Sequence, residues 1–284
     1  MAKLIPLQEG KIMCNINKNS KKKEGLVIEE WDLTNNFKSR LSCYYDQNQP
    51  YGFSKFIVYN PYDLNVREEF KGELLNKRAD GYGIFTDMNG EYEGDWTNDN
   101  QNGIGIENTP DNSTYKGEFR NGIKQGIGVY TWQDGSSYAG EWDNNKFNGY
   151  GMYTFSNGKR YNGHFVDGEM NGYGELIWER GDAYLGGIKK GKKHGYGLYT
   201  LTRNQKNFVY IGFFANDKLN GFGKLMNQEN EQYGMWNMGK LEKKYELYEF
   251  KSALRNQGLR EYIDKFELSY QGFLAYYHLC LKTQ

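Results

Sequence analysis

From residue 70 onward, apolar positions alternate with small or polar ones in short runs, and the runs come in pairs. Tyr138, Gly140 and Trp142 stand at alternate positions, and eleven residues after Tyr138 a second run opens with Gly149, Gly151, Tyr153 and Phe155. A period of two puts the side chains of such a run on one face of a β-strand. Between the runs lie Asn121-Gly122, Asn144-Asn145, Asp167-Gly168 or Asn216-Asp217, pairs that accept the positive φ of tight hairpin turns. Asp134-Gly135, Asn157-Gly158 and Arg180-Gly181 supply a second turn signal after the second run. The pattern predicts hairpin after hairpin.

The skeleton recurs. It starts at Phe70, Tyr92, Tyr115, Tyr138, Tyr161, Tyr184 and Tyr210, with glycines two, eleven and thirteen residues on, and it fades at an eighth start, Tyr233. Successive starts are 22 residues apart, then 23 four times, then 26, then 23. A fixed period of this size indicates stacked repeats. The predicted fold class is mainly β: an elongated, twisted, single-layer antiparallel sheet of stacked β-hairpins with a short C-terminal α-helical tail. Glycine weakens a strand unless something bulky covers the bare backbone, so the Tyr and Trp or Phe of one copy are expected to lie across the glycines of a neighbour. At roughly 150–250 Å² per aromatic and about 25 cal/mol per Å², stacking stabilises each copy by several kcal/mol.

The aromatic-x-Gly-x-aromatic run followed by Gly-x-Gly at this period resembles the MORN repeat (membrane occupation and recognition nexus), over residues 70 to about 238. The resemblance implies a sheet with a glycine-and-aromatic groove, used for assembly or binding rather than catalysis. It also implies company: proteins built this way without a catalytic domain look like radial spoke head and other ciliary or cytoskeletal scaffold components.

The flanks read differently. Residues 1–25, with Lys21-Lys22-Lys23, are expected to be a flexible leader. Residues 26–69 are expected to be a degenerate N-terminal repeat or cap, in which Phe37-Lys38-Ser39-Arg40-Leu41 echoes the aromatic-small-apolar run and Pro50-Tyr51-Gly52 stands in for Gly-Tyr-Gly. End copies of arrays are atypical because they blunt an exposed edge. Residues 70–239 form the array, seven repeats plus a partial eighth, and 240–284 a helical tail. Leu241, Tyr245, Tyr248, Leu254 and Leu259 fall near helical spacing, as do Tyr270, Phe273, Leu274, Tyr277 and Leu281. Such short helices need a surface to pack on. Three extra residues between Gly197 and Tyr210 predict a protruding loop.

Composition narrows the function. The 36 basic and 36 acidic residues cancel, so no global field favours nucleic acid. Cys14, Cys43 and Cys280 are three and scattered, which argues against a disulfide framework and for a reducing compartment. The chain shows no charged-then-apolar leader and no run near the ~18 apolar residues of a membrane span, so a cytoplasmic location, on a cilium, axoneme or cytoskeleton, is expected. In that setting the sequon Asn112-Ser113-Thr114 is incidental.

Catalytic chemistry finds little purchase. His164, His194 and His278 are separate, and His164 falls on the face opposite the aromatics, where a solvated strand residue is the simpler reading. No Ser or Cys stands in a nucleophile motif. The Gly-x-Gly pairs lack the third Gly of a dinucleotide fingerprint and the Gly-Lys-Ser/Thr of a phosphate loop. Glu73, Asp95, Glu118, Glu141 and Glu169 suit a wet sheet face or its tips. No converging metal ligands are visible and no cofactor is expected. The 45 residues after the array are too few for the kinase or methyltransferase domains that follow similar repeats elsewhere.

What remains is surface. A row of Tyr92, Trp96, Tyr115, Phe119, Tyr138, Trp142, Tyr161, Phe165, Tyr184, Tyr210 and Phe214, at about 10 Å per hairpin, makes a partner-binding groove on the order of 65 Å long that suits a helix or extended peptide. The competing reading is that ring stacking uses all of it. The helical tail is one candidate occupant and a partner protein in a multi-subunit assembly the other. A second function class is a membrane-associated adaptor resembling junctophilins, with Lys189, Lys190, Lys192 and Lys193 at one tip touching anionic phospholipid.

Overall fold

A computed structural model describes residues 11–13, 23, 25–33, 36–46, 48–203, 206–267 and 272. Its contacts divide the chain into two units, with the boundary after Lys146. In the first, successive strands pair antiparallel in chain order: β1 (Lys11–Met13), β2 (Gly25–Asp32), β3 (Lys38–Asp46), β4 (Gln49–Tyr59), β5 (Val66–Leu75), β6 (Arg78–Asp87), β7 (Gly90–Thr97), β8 (Asn100–Asn108), β9 (Thr114–Arg120), β10 (Ile123–Thr131) and β11 (Ser137–Asp143). The second repeats the plan with β12 (Lys146–Thr154), β13 (Arg160–Val166), β14 (Glu169–Ile177), β15 (Ala183–Lys189), β16 (Lys192–Arg203), β17 (Lys206–Ala215), β18 (Lys218–Met226), β19 (Glu231–Asn237) and β20 (Lys240–Tyr245). It ends in α1 (Leu247–Asn256), a 3-10 turn and α2 (Ile263–Glu267). The chain is thus mainly β, an open antiparallel sheet with two short helices at its C-terminal end.

One glycine from each strand faces one glycine from the next. Gly72 pairs with Gly83, Gly83 with Gly94, Gly94 with Gly105, and the row continues through Gly117 and Gly128 to Gly140. A second row runs from Gly151 to Gly234 in the other unit. In six copies the opening aromatic, Phe70 in the first and a tyrosine in the others, lies flat on its own hairpin's pair. A Cβ added at Gly128 would stand 2.4 Å from the Tyr115 hydroxyl oxygen and 2.5 Å from Cε2, and one added at Gly174 would stand 2.4 Å from Cε2 of Tyr161. The second aromatic crosses instead to the preceding copy, where Nε1 of Trp96 donates to the carbonyl of Gly83 and Nε1 of Trp142 to that of Gly128, both at 3.1 Å. The expected cover by a neighbour therefore holds for the Trp, while the Tyr shelters its own glycines.

A bulge explains why the first ring carries a hydroxyl. The hairpin register shifts between Gly94 and Trp96, and likewise between Gly163 and Phe165 and between Gly212 and Phe214. Such a shift sets one residue outside the ladder, and its carbonyl needs a donor. Tyr92 donates to the carbonyl of Asp95 at 2.9 Å, Tyr115 to Glu118 at 3.0 Å, Tyr161 to His164 at 3.0 Å and Tyr184 to Gly187 at 2.8 Å. The acidic side chains of the bulged residues point the other way. Oδ2 of Asp95 accepts from the amide of Ile104 at 2.9 Å, and Oε1 of Glu118 from that of Ile127 at 3.0 Å.

The tips take positive φ at both central residues, as at Asn98 (49°) and Asp99 (68°) or Asn216 (49°) and Asp217 (70°). Each tip also donates into the preceding copy: Gly122 to the carbonyl of Gln101, Gly168 to Phe147 and Gly239 to Leu219, at 2.8–2.9 Å.

Several boundaries differ from expectation. The leader is tied down in part, since β1 pairs with β2 and Lys23 is buried against Glu29. The degenerate copy is keyed by Leu41, Cys43 and Tyr45, with Gly52 and Ser54 eleven and thirteen residues after Leu41, rather than by Phe37, Ser39 and Leu41. Ser54 pairs with Gly72, so small residues continue the glycine row. At the eighth copy it is the tyrosine that has slipped: Gly234 pairs with Gly223 and Trp236 packs 5.2 Å from Tyr210, while Gln232 holds the opening position. The turn at Met238 and Gly239 (φ 49° and 88°) then extends the sheet by β20, so residues 240–245 are strand rather than helical tail. The extra residues after Gly197 lengthen β16 and β17 by added rungs, Leu201 to Phe208 and Arg203 to Lys206, where a protruding loop was expected.

Candidate docking face

The sheet of each unit has a ring face, carrying the glycine row, and an opposite face. All eleven predicted groove residues lie on the ring face, and each is at most 5 % exposed. They pack edge to face, Tyr115 at 5.1 Å from Phe119 and 5.0 Å from Trp142, Tyr184 at 5.1 Å from Phe214. Burial pushes the hydroxyl pKa of Tyr92, Tyr115, Tyr161 and Tyr184 far above the usual tyrosine value. These rings are the interior of a sheet over which no described residue lays a second layer.

What the ring face of each unit shows to solvent is a second set of aromatics: Phe85, Tyr130, Tyr153 and Tyr199 on the partner strands and Trp132, Phe155 and Trp178 one residue beyond a strand end are half-buried. They stand past the glycine row, with no bare backbone to lie on. Their signal was present in Tyr153 and Phe155 of the second run. In the second unit they line two concavities. One, of about 220 Å³, is bounded by Phe147, Tyr153, Phe155, Phe165 and Met170. The other, of about 490 Å³, is bounded by Lys193, Tyr199, Leu201, Arg203, Phe208, Leu219 and Leu225.

The four lysines separate. Lys189, Lys190 and Lys192 are exposed at one tip. Lys193 turns onto the ring face, its Nζ 4.3 Å from the centroid of Tyr199 and 5.4 Å from that of Trp178. Lys159 lies 4.8 Å from Phe155 and 5.3 Å from the same Trp178. Burial lowers the pKa of both ammonium groups, against the pull of Asp217 on each.

The opposite face settles where the helices go. Phe250 packs 5.7 Å from Phe222 and 5.2 Å from Tyr233, Phe266 5.8 Å from Tyr196, and Tyr262 4.9 Å from Phe213. Val209, Ile211, Leu198 and Met226 complete this core. The described tail residues therefore cover the face away from the rings and leave the ring face open. The signal was the apolar alternation Val209, Ile211, Phe213, with Phe213 standing where earlier copies have Asp95 or Glu118. Residues 273–284, including Tyr277, His278 and Leu281, lie outside the described residues, as do Cys14 and Cys280.

Glu29, Cys43 and His164 lie away from the ring-face concavities. Glu29 is fully buried and accepts from Tyr45 at 2.5 Å, Lys23 at 2.8 Å and Lys77 at 2.9 Å. Burial pushes its carboxyl up, but these three bonds outweigh it and hold the pKa below the usual value. Burial pushes the Cys43 thiol up to about 11, which leaves it inert at neutral pH. His164 is exposed on the face opposite the rings, 5.4 Å from Tyr150.

The family model of the MORN repeat matches seven segments, residues 70–91, 92–114, 115–137, 138–160, 161–183, 184–204 and 210–226, more than half of the chain. No curated protein matches it closely enough to stand as a relative.

Proposed function

Because the chain belongs to the MORN-repeat family, a non-enzymatic repeat scaffold, we propose that it is an adaptor that docks partner proteins along the ring face within a large assembly. The observation that carries this reading is the half-buried second aromatic row and its two apolar concavities, left open by helices that pack on the opposite face. Apolar area of that kind on one side of a sheet marks interaction surfaces. Resemblance to radial spoke head proteins makes the ciliary axoneme, or another cytoskeletal structure, the proposed setting. Pull-down from native ciliated material with the full chain, against a Tyr153→Ser/Tyr199→Ser variant of equal melting temperature, tests it. The expected result is a set of axonemal partners lost with the variant; an identical partner set from both proteins refutes docking on this face.

The second reading, an anionic-lipid adaptor, is favoured by one observation, the exposed Lys189, Lys190 and Lys192 at a single tip. It requires binding to phosphatidylserine vesicles that weakens with salt and with neutralisation of these three residues.

A further inference from the structure

Repeat proteins allow one copy to serve as the control for another. Nine residues after the opening aromatic, two copies carry a lysine on the ring face: Lys124 after Tyr115 and Lys193 after Tyr184. Nζ of Lys124 stands 5.2 Å from the Tyr115 centroid and is bonded to the carboxylate of Glu107, which comes from the preceding copy, fifteen residues after its opening Tyr92. Nζ of Lys193 stands 5.8 Å from the Tyr184 centroid in the same way. The residue in the place of Glu107, fifteen after Tyr161, is Leu176, and it is buried. The second site has the ammonium and the rings but lacks the carboxylate.

Asp217 lines the same concavity as Lys193 and attracts both Lys193 and Lys159, but no carboxylate among the described residues bonds either ammonium group. Neither Lys193 nor Lys159, which shares Trp178 with it, forms an ion pair among the described residues. Asp182 is held by Arg180 at 2.6 Å, and Oδ1 of Asp217 accepts the backbone amide of Lys193 at 2.9 Å. Arg203 and Lys218 stand on the walls of the same concavity, so the cations Lys159, Lys193, Arg180, Arg203 and Lys218 outnumber the acids Asp182 and Asp217. Half-buried charge without a counter-ion is costly, and aromatic faces return only part of that cost. Lys193 also forms one wall of the concavity of about 490 Å³, whose other walls include Leu201, Phe208 and Leu219.

We propose that Lys193, assisted by Lys159, receives a carboxylate side chain of the docked partner protein, and that an apolar side chain next to that carboxylate fills the adjoining concavity. The partner's acid takes the role that Glu107 plays for Lys124. This rests on the docking reading and narrows it to acidic-apolar segments.

The test uses the full chain and two fluorescein-labelled peptides, a Gly-Ser-flanked Phe-Glu-Leu-Glu core and its Phe-Gln-Leu-Gln counterpart, with affinity read by anisotropy. The acidic peptide is expected to bind at least tenfold tighter than the amide. Lys193→Gln removes that preference, so that the variant no longer distinguishes the two peptides, while Lys159→Gln reduces it. Leu176→Glu, which rebuilds the ion pair of the earlier copy, also abolishes it; unchanged circular dichroism and melting temperature confirm folding of each variant. Lys193 Nζ chemical shifts provide a reading in the wild type itself, where the depressed ammonium pKa rises on binding. Equal affinities for the two peptides, or a preference that survives Lys193→Gln, overturn the carboxylate proposal and leave docking standing. Absence of binding by either peptide at millimolar concentration overturns both. Lys193-dependent binding to phosphatidylserine vesicles without binding of the acidic peptide overturns the proposal in favour of lipid.

Discussion

Gly128→Ala isolates the ring-on-glycine contact. The backbone at Gly128 has no positive φ, and the three atoms nearest an added Cβ all belong to Tyr115, at 2.4–2.6 Å. The methyl group and the ring cannot both stay. If the ring shifts by the minimum, overpacking costs about 1–3 kcal/mol. If it swings out, the loss approaches about 4–6 kcal/mol, from roughly 150–250 Å² of aromatic burial at about 25 cal/mol per Å². A further cost of about 1 kcal/mol follows from the lost hydrogen bond to Glu118. The expected value is about 3 kcal/mol. Tyr115→Ala removes the obstacle, so in that background Gly128→Ala is neutral or stabilising by about 0.4–1 kcal/mol through the unfolded chain. Urea denaturation of the four proteins closes a double-mutant cycle with an expected coupling above about 2 kcal/mol. Amide exchange within β10 provides the local counterpart, since repeat arrays open in sections. A cost for Gly128→Ala that is the same with and without the Tyr115 ring would refute the account of how this sheet stands without a second layer.

Further expectations follow from other contacts. Tyr115→Phe keeps the ring and strips the donor from the bulge carbonyl, costing about 1–3 kcal/mol because an acceptor is left unpaired; amide exchange around Glu118 reports it. Phe250→Ala empties the centre of the helix-sheet core, where Phe250 is fully buried, at about 3–5 kcal/mol, and limited proteolysis should then cut after residue 246 while β6 to β10 stay protected. Glu29→Gln leaves Lys23 and Lys77 without their shared anion and costs about 3–5 kcal/mol. The folded carboxyl of Glu29 titrates below its unfolded value, so its contribution is complete above the ordinary glutamate range and is withdrawn as pH falls through the lowered value. A wild-type acid melt should therefore lose a component that the Gln variant lacks.

The array was legible because spacing within a copy never varies: glycines at fixed offsets and turn pairs that need positive φ leave one hairpin register. The ring's choice of its own hairpin was not, because a bulge moves the second aromatic by one residue and shows in sequence only as a glycine eleven places on. Counting aromatics rather than glycines placed the eighth copy at Tyr233, whose ring in fact serves the helices. For the site, the alternation put both aromatic rows on one face without separating them. The distinction is physical: Tyr115 has Gly117 and Gly128 to lie on, whereas Tyr130 has no such bed and stays partly in water. The counter-ion missing beside Lys193 becomes visible only when Lys124 and Glu107 are seen touching.

The two margins of the repeat are built differently, and this governs where the chain can change length. Hairpin tips donate into the copy before them, as Gly122 does to Gln101, whereas the backbone bonds of the opposite turns stay within the turn, Trp132 donating to Ser136 and Trp178 to Asp182. Both departures from the 23-residue spacing, 22 and 26, fall on that second margin, where β16 and β17 absorb the longer one as extra rungs. Foreign segments grafted between Asp134 and Ser136 should leave every copy in place, while the same insert at Asn121 would cut a stitch that two copies share.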